Sequence, residues 1–280
     1  MKSVLKHTQN SVLIIMVKVG LINGGFQHAF SSTLWKIPSH FVWDKEILHD
    51  TSFFIDQGIL DHIGTQCPNK YGWVVESRVI IPSVIEGFKR HYKEISQAYK
   101  YVFTHYRDLY ELADNFIYLP PHGYWIEKPG IYPKTKLVSL VSSNKLYGPG
   151  HAFRLAWVDR LKDKVDVFGR NIRTMNRKEE ALQDYMFSVT IENDQYETYW
   201  TEKILDCFVS GTVPVYHGAP DLKDYFNMDG VITLTDSFDP SQLSAELYQS
   251  MMPAIKDNYE RALKHSVIED FLWENYISIQ

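Results

Sequence analysis

Thr201, Glu202 and Lys203 stand together just ahead of a mostly apolar run that ends at Val209. A threonine in this position can cap a helix by accepting a hydrogen bond from a backbone N–H two or three residues further on. Glu202 and Lys203 would then lie in the first helical turn, where free N–H groups and the helix dipole favour an anion. Lysine adds a positive charge for a phosphate, and glutamate can accept hydrogen bonds from ribose hydroxyls. The segment therefore predicts a site for the phosphates of a nucleotide.

A strand pattern, Phe187–Ile191, precedes this segment and delivers Glu192 and Asn193 at its carboxyl end. In open parallel α/β sheets, ligands bind at that edge. Beyond the helix, Gly211 and the run Val213–Tyr216 indicate a helix end and another strand. An isolated Thr-Glu-Lys more often only begins a helix, with the glutamate complementing the dipole and the lysine in water. The surrounding pattern is what favours a binding site.

The order and spacing of these residues resemble the alpha-1,3-fucosyltransferase family. The family pattern is a strand ending in Phe-Glu-Asn, then Tyr-x-Thr-Glu-Lys, then a small residue and x-Val/Ile-Pro-Val/Ile-x-x-Gly. The corresponding segments of this chain are Ile191–Asn193, Tyr199–Lys203 and Gly211–Gly218. Upstream, Arg154 falls where the family carries an arginine for the donor diphosphate, although an arginine on a helix surface is the other interpretation. The resemblance is dense over about 35 residues that end at Gly218, and loose from Leu137 to Phe238.

The resemblance implies a fold, an activity and a set of site residues. The fold is α/β of the GT-B type, with two Rossmann-like domains facing across a cleft and the nucleotide held by the second. The activity is inverting transfer of fucose from GDP-fucose to a glycan hydroxyl. The residues expected to bind the donor are Arg154, Asn193, Tyr199, Glu202 and Lys203.

Glu76 is the candidate catalytic base, because the family carries its presumed base on a glutamate after a strand of the first domain. Trp73–Ser77 looks like that site, with Glu76 at the end of an apolar strand. A glutamate at a strand end is as often simply a charge in solvent. Glu86, Glu94 and Asp108 are weaker candidates for the same role.

The sequence contains no two aspartates separated by one residue, which is the motif that commonly binds the diphosphate metal in glycosyltransferases of the other major fold. Positive side chains would then do the work of the metal. We therefore predict neither a cofactor nor an obligatory metal. Two alternatives stay open: a transferase that uses another nucleotide sugar, and a sugar- or nucleotide-binding protein without catalysis.

Strand-like and helix-like runs alternate along the chain, which is typical of parallel sheets with crossover helices. Residues 27–52 resist assignment. The predicted strands are Val12–Val19, Tyr71–Glu76, Tyr101–Thr104, Phe116–Leu119, Lys136–Ser142, Val165–Phe168, Phe187–Ile191, Val213–Tyr216 and Val231–Leu234, and the predicted helices are Pro82–Tyr99, Gly150–Leu161, Lys178–Asp184 and Thr201–Ser210.

A stretch rich in proline and glycine between Pro120 and Pro133 is the best candidate linker. It predicts an N-terminal acceptor-side domain, residues 1–132, and a C-terminal nucleotide-sugar-binding domain, residues 133–280. The final helices, Pro253–Tyr276, are candidates to return to the first domain.

Composition limits the partners. The net charge of −5 argues against a broad nucleic-acid-binding surface. The two cysteines, Cys67 and Cys207, are too far apart for a zinc motif. The apolar segment Val12–Val17 is too short to cross about 30 Å of hydrocarbon as a helix. These features predict a nucleotide sugar and a carbohydrate acceptor as partners, no nucleic acid, no transmembrane segment, and a location that is cytoplasmic or peripheral to a membrane.

Overall fold

The computed structural model describes residues 16–25, 31–33, 36–120, 123–143, 148–169 and 172–278. The chain forms two compact units. The first unit contains the described residues as far as Glu76, then Ile81–Leu119 and the described residues from Val267 onward. The second contains Ser77–Ile80 and Pro120–Ser266. The boundary predicted from the sequence, between residues 132 and 133, falls inside this second unit.

Within the described residues, the first unit is built on a six-stranded parallel sheet in the order β2-β1-β3-β4-β5-β6. Most of its strand positions are buried, as expected for a parallel sheet covered on both faces. Its elements are β1 (Val17–Ile22), β2 (Phe41–Lys45), β3 (Thr51–Ile55), α1 (Gln57–Asp61), β4 (Asn69–Val74), α2 (Pro82–Arg90), α3 (Tyr92–Ala98), β5 (Tyr101–Thr104), α4 (Arg107–Tyr110) and β6 (Phe116–Tyr118).

Aromatic side chains form much of the core of the first unit. The Phe53 ring stacks on Tyr71, with 4.9 Å between the ring centroids, and meets the edge of Trp43. The last part of the chain packs on the same core through α9 (Ile268–Leu272) and a π-helical turn at Trp273–Ile277. There the buried Glu269 carboxylate accepts a hydrogen bond from the Trp43 indole N–H at 2.8 Å.

The first unit settles one stretch that the sequence left unassigned and corrects two expectations. Two strands, β2 and β3, occupy part of the stretch that resisted assignment. The predicted helix Pro82–Tyr99 is interrupted at His91, where the backbone leaves the helical region, so that α2 and α3 are separate. The first strand continues to Ile22 rather than ending at Val19, and the predicted strand positions before Met16 lie outside the described residues.

The second unit contains the five predicted strands of the second half of the chain, as a parallel sheet in the order β11-β10-β9-β7-β8 within the described residues. The predicted helix Lys178–Asp184 is only a short 3₁₀ turn, Lys178–Ala181. The elements are β7 (Lys136–Val141), α5 (Pro149–Leu161), β8 (Asp166–Phe168), β9 (Tyr185–Ile191), α6 (Glu202–Val209), β10 (Val213–His217), β11 (Ile232–Thr233), α7 (Ala245–Ser250) and α8 (Met252–Leu263).

The order of this second sheet creates a switch point between β7 and β9. After β7 the chain moves to β8 on one side, whereas after β9 it moves to β10 on the other. Neighbouring strands with connections in opposite directions leave a crevice at their carboxyl ends, where ligands bind in doubly wound folds. The topology therefore places a candidate site at the ends of β7 and β9.

No helix among the described residues combines the length and the apolarity that a membrane crossing requires.

Candidate functional site

A pocket of about 290 Å³ opens at the switch point of the second unit. Val141 and Ser143 line it from the end of β7, and Ile191 and Asn193 line it from the end of β9. The other walls come from α5, from α6 and from residues before β9. The side chains of these walls that can carry charge are His151, Arg154, Lys178, Glu202, Lys203 and Asp206.

Helix α6 begins at the pocket in the way that the sequence predicts. Thr201 has an extended backbone, and its side-chain oxygen accepts a hydrogen bond from the N–H of Lys203 at 3.3 Å. Glu202 and Lys203 follow in the first turn and line the pocket, while Ile204 and Leu205 are fully buried beneath it. The positive end of the helix dipole therefore lies beside two charged side chains.

Glu192 joins the end of β9 to the start of α6. Its side chain is fully buried and accepts hydrogen bonds from both the N–H and the hydroxyl of Thr201, at 2.9 and 2.7 Å. Lys203 Nζ lies 3.2 Å from the same carboxylate. The sequence analysis placed Glu192 in the motif but gave it no role. A carboxylate at a strand end, nine residues before a helix cap, is the signal that could have found it.

Two glycines let the backbone close around this corner. An added Cβ at Gly150, in the first turn of α5, would lie 2.1 Å from the backbone oxygen of Asn193. At Gly218, the last residue of the motif, it would lie 2.6 Å from Cγ of Glu192. Both positions thus require the absence of a side chain.

Arg154 reaches from α5 to the end of β9. Its guanidinium donates to the backbone oxygen of Ile191, from Nε at 3.1 Å and from Nη2 at 2.6 Å, and from Nη2 to Asn193 Oδ1 at 3.0 Å. Burial lowers the pKa of Arg154, and the nearby Glu192 and Glu202 oppose that shift. Because guanidinium pKa values start above 12, the side chain stays positive. Arg154 thus holds Asn193 in place and adds a cation to the pocket.

Lys178 and Asp206 form a second charged group in the pocket that the sequence analysis missed. Lys178 Nζ lies 2.5 Å from Asp206 Oδ2 and 3.7 Å from Glu202 Oε1, and it packs 4.4 Å from the ring centroid of Trp125. Burial raises the pKa of Asp206 to about 6, against the opposing charge of Lys178. Glu202 and Asp206 are like charges one helical turn apart, a destabilising pair unless a cation lies between them. The spacing of Glu202 and Asp206 in the sequence is the signal that could have indicated a cation between them.

The charge of Glu202 is fixed by its neighbours. Although burial favours its neutral form, Lys203 and Lys178 together lower the pKa of Glu202 to about 2. The carboxylate is therefore ionised at every physiological pH and can act only as a hydrogen-bond acceptor.

Of the five residues expected to bind a donor, four line this one pocket: Arg154, Asn193, Glu202 and Lys203. Tyr199 does not line it. Its ring is buried and stacks on Tyr196, with 4.7 Å between the centroids. The role of Tyr199 as a donor contact stays a prediction.

Glu76 lies in the first unit, two residues beyond the end of β4. Its backbone N–H donates to Asp56 Oδ1 at 3.3 Å, and its backbone oxygen accepts from the hydroxyl of Tyr106 at 3.0 Å. The residue thus stands at the carboxyl edge of the first sheet, as the sequence predicts. Its role as a base stays a prediction.

We expect Glu192→Ala to lower the free energy of unfolding of the chain by about 2–3 kcal/mol. The substitution removes the acceptor of two buried donors of Thr201 and leaves Lys203 without this partner. Urea unfolding followed by circular dichroism measures the effect. The exposed Glu260 on α8 provides the matched control, for which Glu260→Ala should change stability by less than about 0.5 kcal/mol. Equal unfolding midpoints for the two variants would contradict the assigned role.

The comparisons with known proteins match the part of the chain that holds most of the pocket lining. Residues 131–265 match the family model described as "Glycosyltransferase family 10 (fucosyltransferase) C-term". "Alpha-(1,3)-fucosyltransferase FucT" of Helicobacter pylori is 32% identical over 145 residues, which are 45% of this chain and 30% of that protein. The mouse "4-galactosyl-N-acetylglucosaminide 3-alpha-L-fucosyltransferase 9" is 30% identical over 122 residues, 41% of this chain and 33% of that protein. The chain thus spans about a third of the length of these curated relatives.

A solved structure, "alpha1,3-Fucosyltransferase with GDP", resembles the fold with a TM-score of 0.51 at 15% sequence identity. The likeness covers 99% of this chain and 95% of that chain. At this level of identity it bears on the fold alone. Together with the two parallel sheets, it confirms the predicted α/β fold of the GT-B type.

Proposed function

Because residues 131–265 match the model of the glycosyltransferase family 10 (fucosyltransferase) C-terminal domain, we propose that this chain belongs to that family and transfers fucose from GDP-fucose to a carbohydrate hydroxyl with inversion. One observation carries the proposal: Arg154 and Lys203 line the same pocket, at the switch point of the second sheet and beside the start of α6. Two cations beside a helix N-terminus fit a diphosphate.

The pocket residues have distinct roles toward the donor. Arg154, Lys203 and the first turn of α6 would stabilise the negative charge that the diphosphate gains as its bond to the sugar breaks. Glu202, held ionised by its two lysines, would accept hydrogen bonds from the ribose hydroxyls. Asn193, fixed by Arg154, would donate or accept one further bond, and Tyr199 would also help to hold the donor.

Glu76 would be the general base of the proposed reaction. The acceptor hydroxyl loses its proton to the Glu76 carboxylate as its oxygen attacks the anomeric carbon. The bond between that carbon and the phosphate oxygen breaks on the opposite face, and its electron pair leaves with GDP. One displacement of this kind inverts the configuration of the sugar carbon.

We further propose that no metal is required, because Arg154, Lys178 and Lys203 supply three positive charges at the pocket. Among the described residues, no three His, Cys, Asp or Glu side chains are grouped to hold a metal ion.

The predicted location of the protein, cytoplasmic or peripheral to a membrane, stays a prediction.

A nucleotide screen followed by a turnover assay tests the function. GDP should raise the melting temperature more than UDP or ADP does, with a gain of about 2.7 kcal/mol when GDP is present at one hundred times its Kd. Fucose transfer from GDP-fucose should then proceed onto a 4-galactosyl-N-acetylglucosaminide, the acceptor in the name of the mouse relative. Transfer should also survive added EDTA.

Each failure has a separate meaning. A larger shift with UDP or ADP would assign another donor. An unchanged melting temperature with every nucleotide would contradict the proposal that the pocket binds a nucleotide donor. Binding of GDP without turnover of GDP-fucose, with that acceptor or with water, would leave a binding protein. Loss of transfer in EDTA that a metal restores would contradict the metal-independent mechanism.

A further inference from the structure

Asp56 lies at the end of β3, beside the strand that carries Glu76. Its backbone has φ 47° and ψ −112°, in the positive-φ region that residues other than glycine seldom enter. Such a conformation persists only where the surrounding structure holds it, and it clusters at functional sites. The backbone conformation therefore indicates that the surroundings of Asp56 hold this residue in place.

The side chain of Asp56 extends the pairing of β3 with β4 beyond the last strand residue. The Asp56 N–H donates to the backbone oxygen of Trp73 at 3.1 Å, which is the final bond of the ladder. Asp56 Oδ1 then accepts from the N–H of Val75 at 2.8 Å and from the N–H of Glu76 at 3.3 Å. The Asp56 carboxylate thus takes the place of strand carbonyls as the acceptor for the N–H groups of Val75 and Glu76.

Tyr106 supports Glu76 from the other side of β4. It follows β5, which is the next strand in the sheet after β4. Its ring is fully buried, and its hydroxyl donates to the backbone oxygen of Glu76 at 3.0 Å. The N–H and the carbonyl of Glu76 are therefore both bound by side chains that come from the ends of the two neighbouring strands.

We propose that Asp56 is a positioning residue for Glu76, and that Tyr106 completes this support. The inference rests on the proposed function, in which the carboxylate of Glu76 takes the proton of the acceptor hydroxyl. A base must stand within hydrogen-bond reach of that proton, and a displacement of about 1 Å can cost 10²-fold in rate. Fixing the backbone of Glu76 on both sides limits where its side chain can point.

The alternative role for Asp56 is that of the base itself, since burial raises its pKa to about 7, with Glu76 adding to the shift. The two roles differ in what asparagine can replace. Asparagine keeps Oδ1 as an acceptor for both N–H groups, but it cannot take a proton. Asp56→Asn therefore retains a positioning residue and abolishes a base.

The test compares Asp56→Ala, Asp56→Asn, Tyr106→Phe, Glu76→Ala and the double variant Asp56→Ala/Glu76→Ala. GDP release from GDP-fucose is followed with a 4-galactosyl-N-acetylglucosaminide and with water as acceptor. Asp56→Ala should lower kcat about 10- to 100-fold with the KM for GDP-fucose within about twofold. Asp56→Asn should stay within about threefold of the native protein. The double variant should be no slower than Glu76→Ala, because positioning has no effect without the group positioned.

The outcomes separate this inference from the proposed function. Native activity in Asp56→Ala, with activity lost in Glu76→Ala, would overturn the inference and leave the function standing. Full activity in Glu76→Ala would remove the base, and the inference with it. Loss in Asp56→Asn equal to that in Asp56→Ala would make Asp56 a proton carrier instead. Should Asp56→Ala fail to fold, Tyr106→Phe decides, because an unchanged kcat in that variant would overturn the two-sided support.

Discussion

Replacement of Lys203 by alanine is expected to weaken GDP binding about 10- to 100-fold. A hydrogen bond that involves a charged group contributes about 1.5–3 kcal/mol, and each 1.4 kcal/mol changes affinity about tenfold. Lys203 is suited to this contact because its Nζ is held at the pocket wall by Thr201, at 3.0 Å, and by Glu192, at 3.2 Å. Isothermal titration of GDP into both proteins gives the ratio of their Kd values directly.

Two comparisons make the Lys203 result specific. Lys162→Ala removes an exposed lysine at the end of α5 and should leave the Kd for GDP unchanged. Lys203→Arg keeps the positive charge and should recover part of the affinity. Because Lys203 also neutralises the buried Glu192, the titrations must be run well below the melting temperature of each variant. An unchanged Kd in Lys203→Ala would place the diphosphate elsewhere.

The second sheet could be predicted from the sequence because its strands have recognisable local patterns. Runs such as Lys136–Val141 and Val213–His217 are short, apolar and bounded by turn-forming residues. The first sheet gives weaker local signals. Strand β2 consists of three buried residues followed by Asp44 and Lys45, so charge interrupts its pattern. Its place beside β1 is set by pairing across the sheet, which local propensity does not encode.

The pocket, too, contains residues that the sequence predicts and residues that only the structure reveals. Thr201, Glu202 and Lys203 are consecutive, so their joint position on a helix start follows from capping rules alone. Lys178 comes from a 3₁₀ turn and meets Asp206 only through the folding of the whole unit. A spatial pair separated in this way has no periodic signature. Sequence motifs thus identified the start of the helix with Lys203 beside Glu202, whereas the second cation beside Glu202, Lys178, is brought there only by the fold.

The order of strands adds information that no motif contains. Positions of β7 and β9 in the chain do not reveal that they are neighbours, since β8 lies between them in sequence. Only the sheet order identifies the switch point and explains why residues from α5 and α6 share one pocket. This is the physical reason that the two cations, Arg154 and Lys203, which are far apart in sequence, line one pocket.

Glu76→Gln is expected to abolish most fucose transfer while leaving the Kd for GDP unchanged. Loss of a general base typically costs 10²- to 10⁴-fold in rate, because the amide has the shape of the carboxylate but cannot accept the proton. Donor binding should persist because the pocket lining runs from Trp125 to Cys207 and belongs to the second unit. The measurements are kcat with saturating GDP-fucose and titration with GDP.

The control for Glu76→Gln is Glu111→Gln, which alters an exposed carboxylate at the end of α4 of the same unit. It should leave both kcat and the Kd for GDP at their native values. A parallel fall in kcat and in GDP affinity in Glu76→Gln would indicate a damaged fold rather than a missing base, and urea unfolding would reveal it. Normal transfer by Glu76→Gln would mean that another carboxylate takes the proton, and Asp56, the neighbour that already bonds to the Glu76 N–H, would be the first to examine.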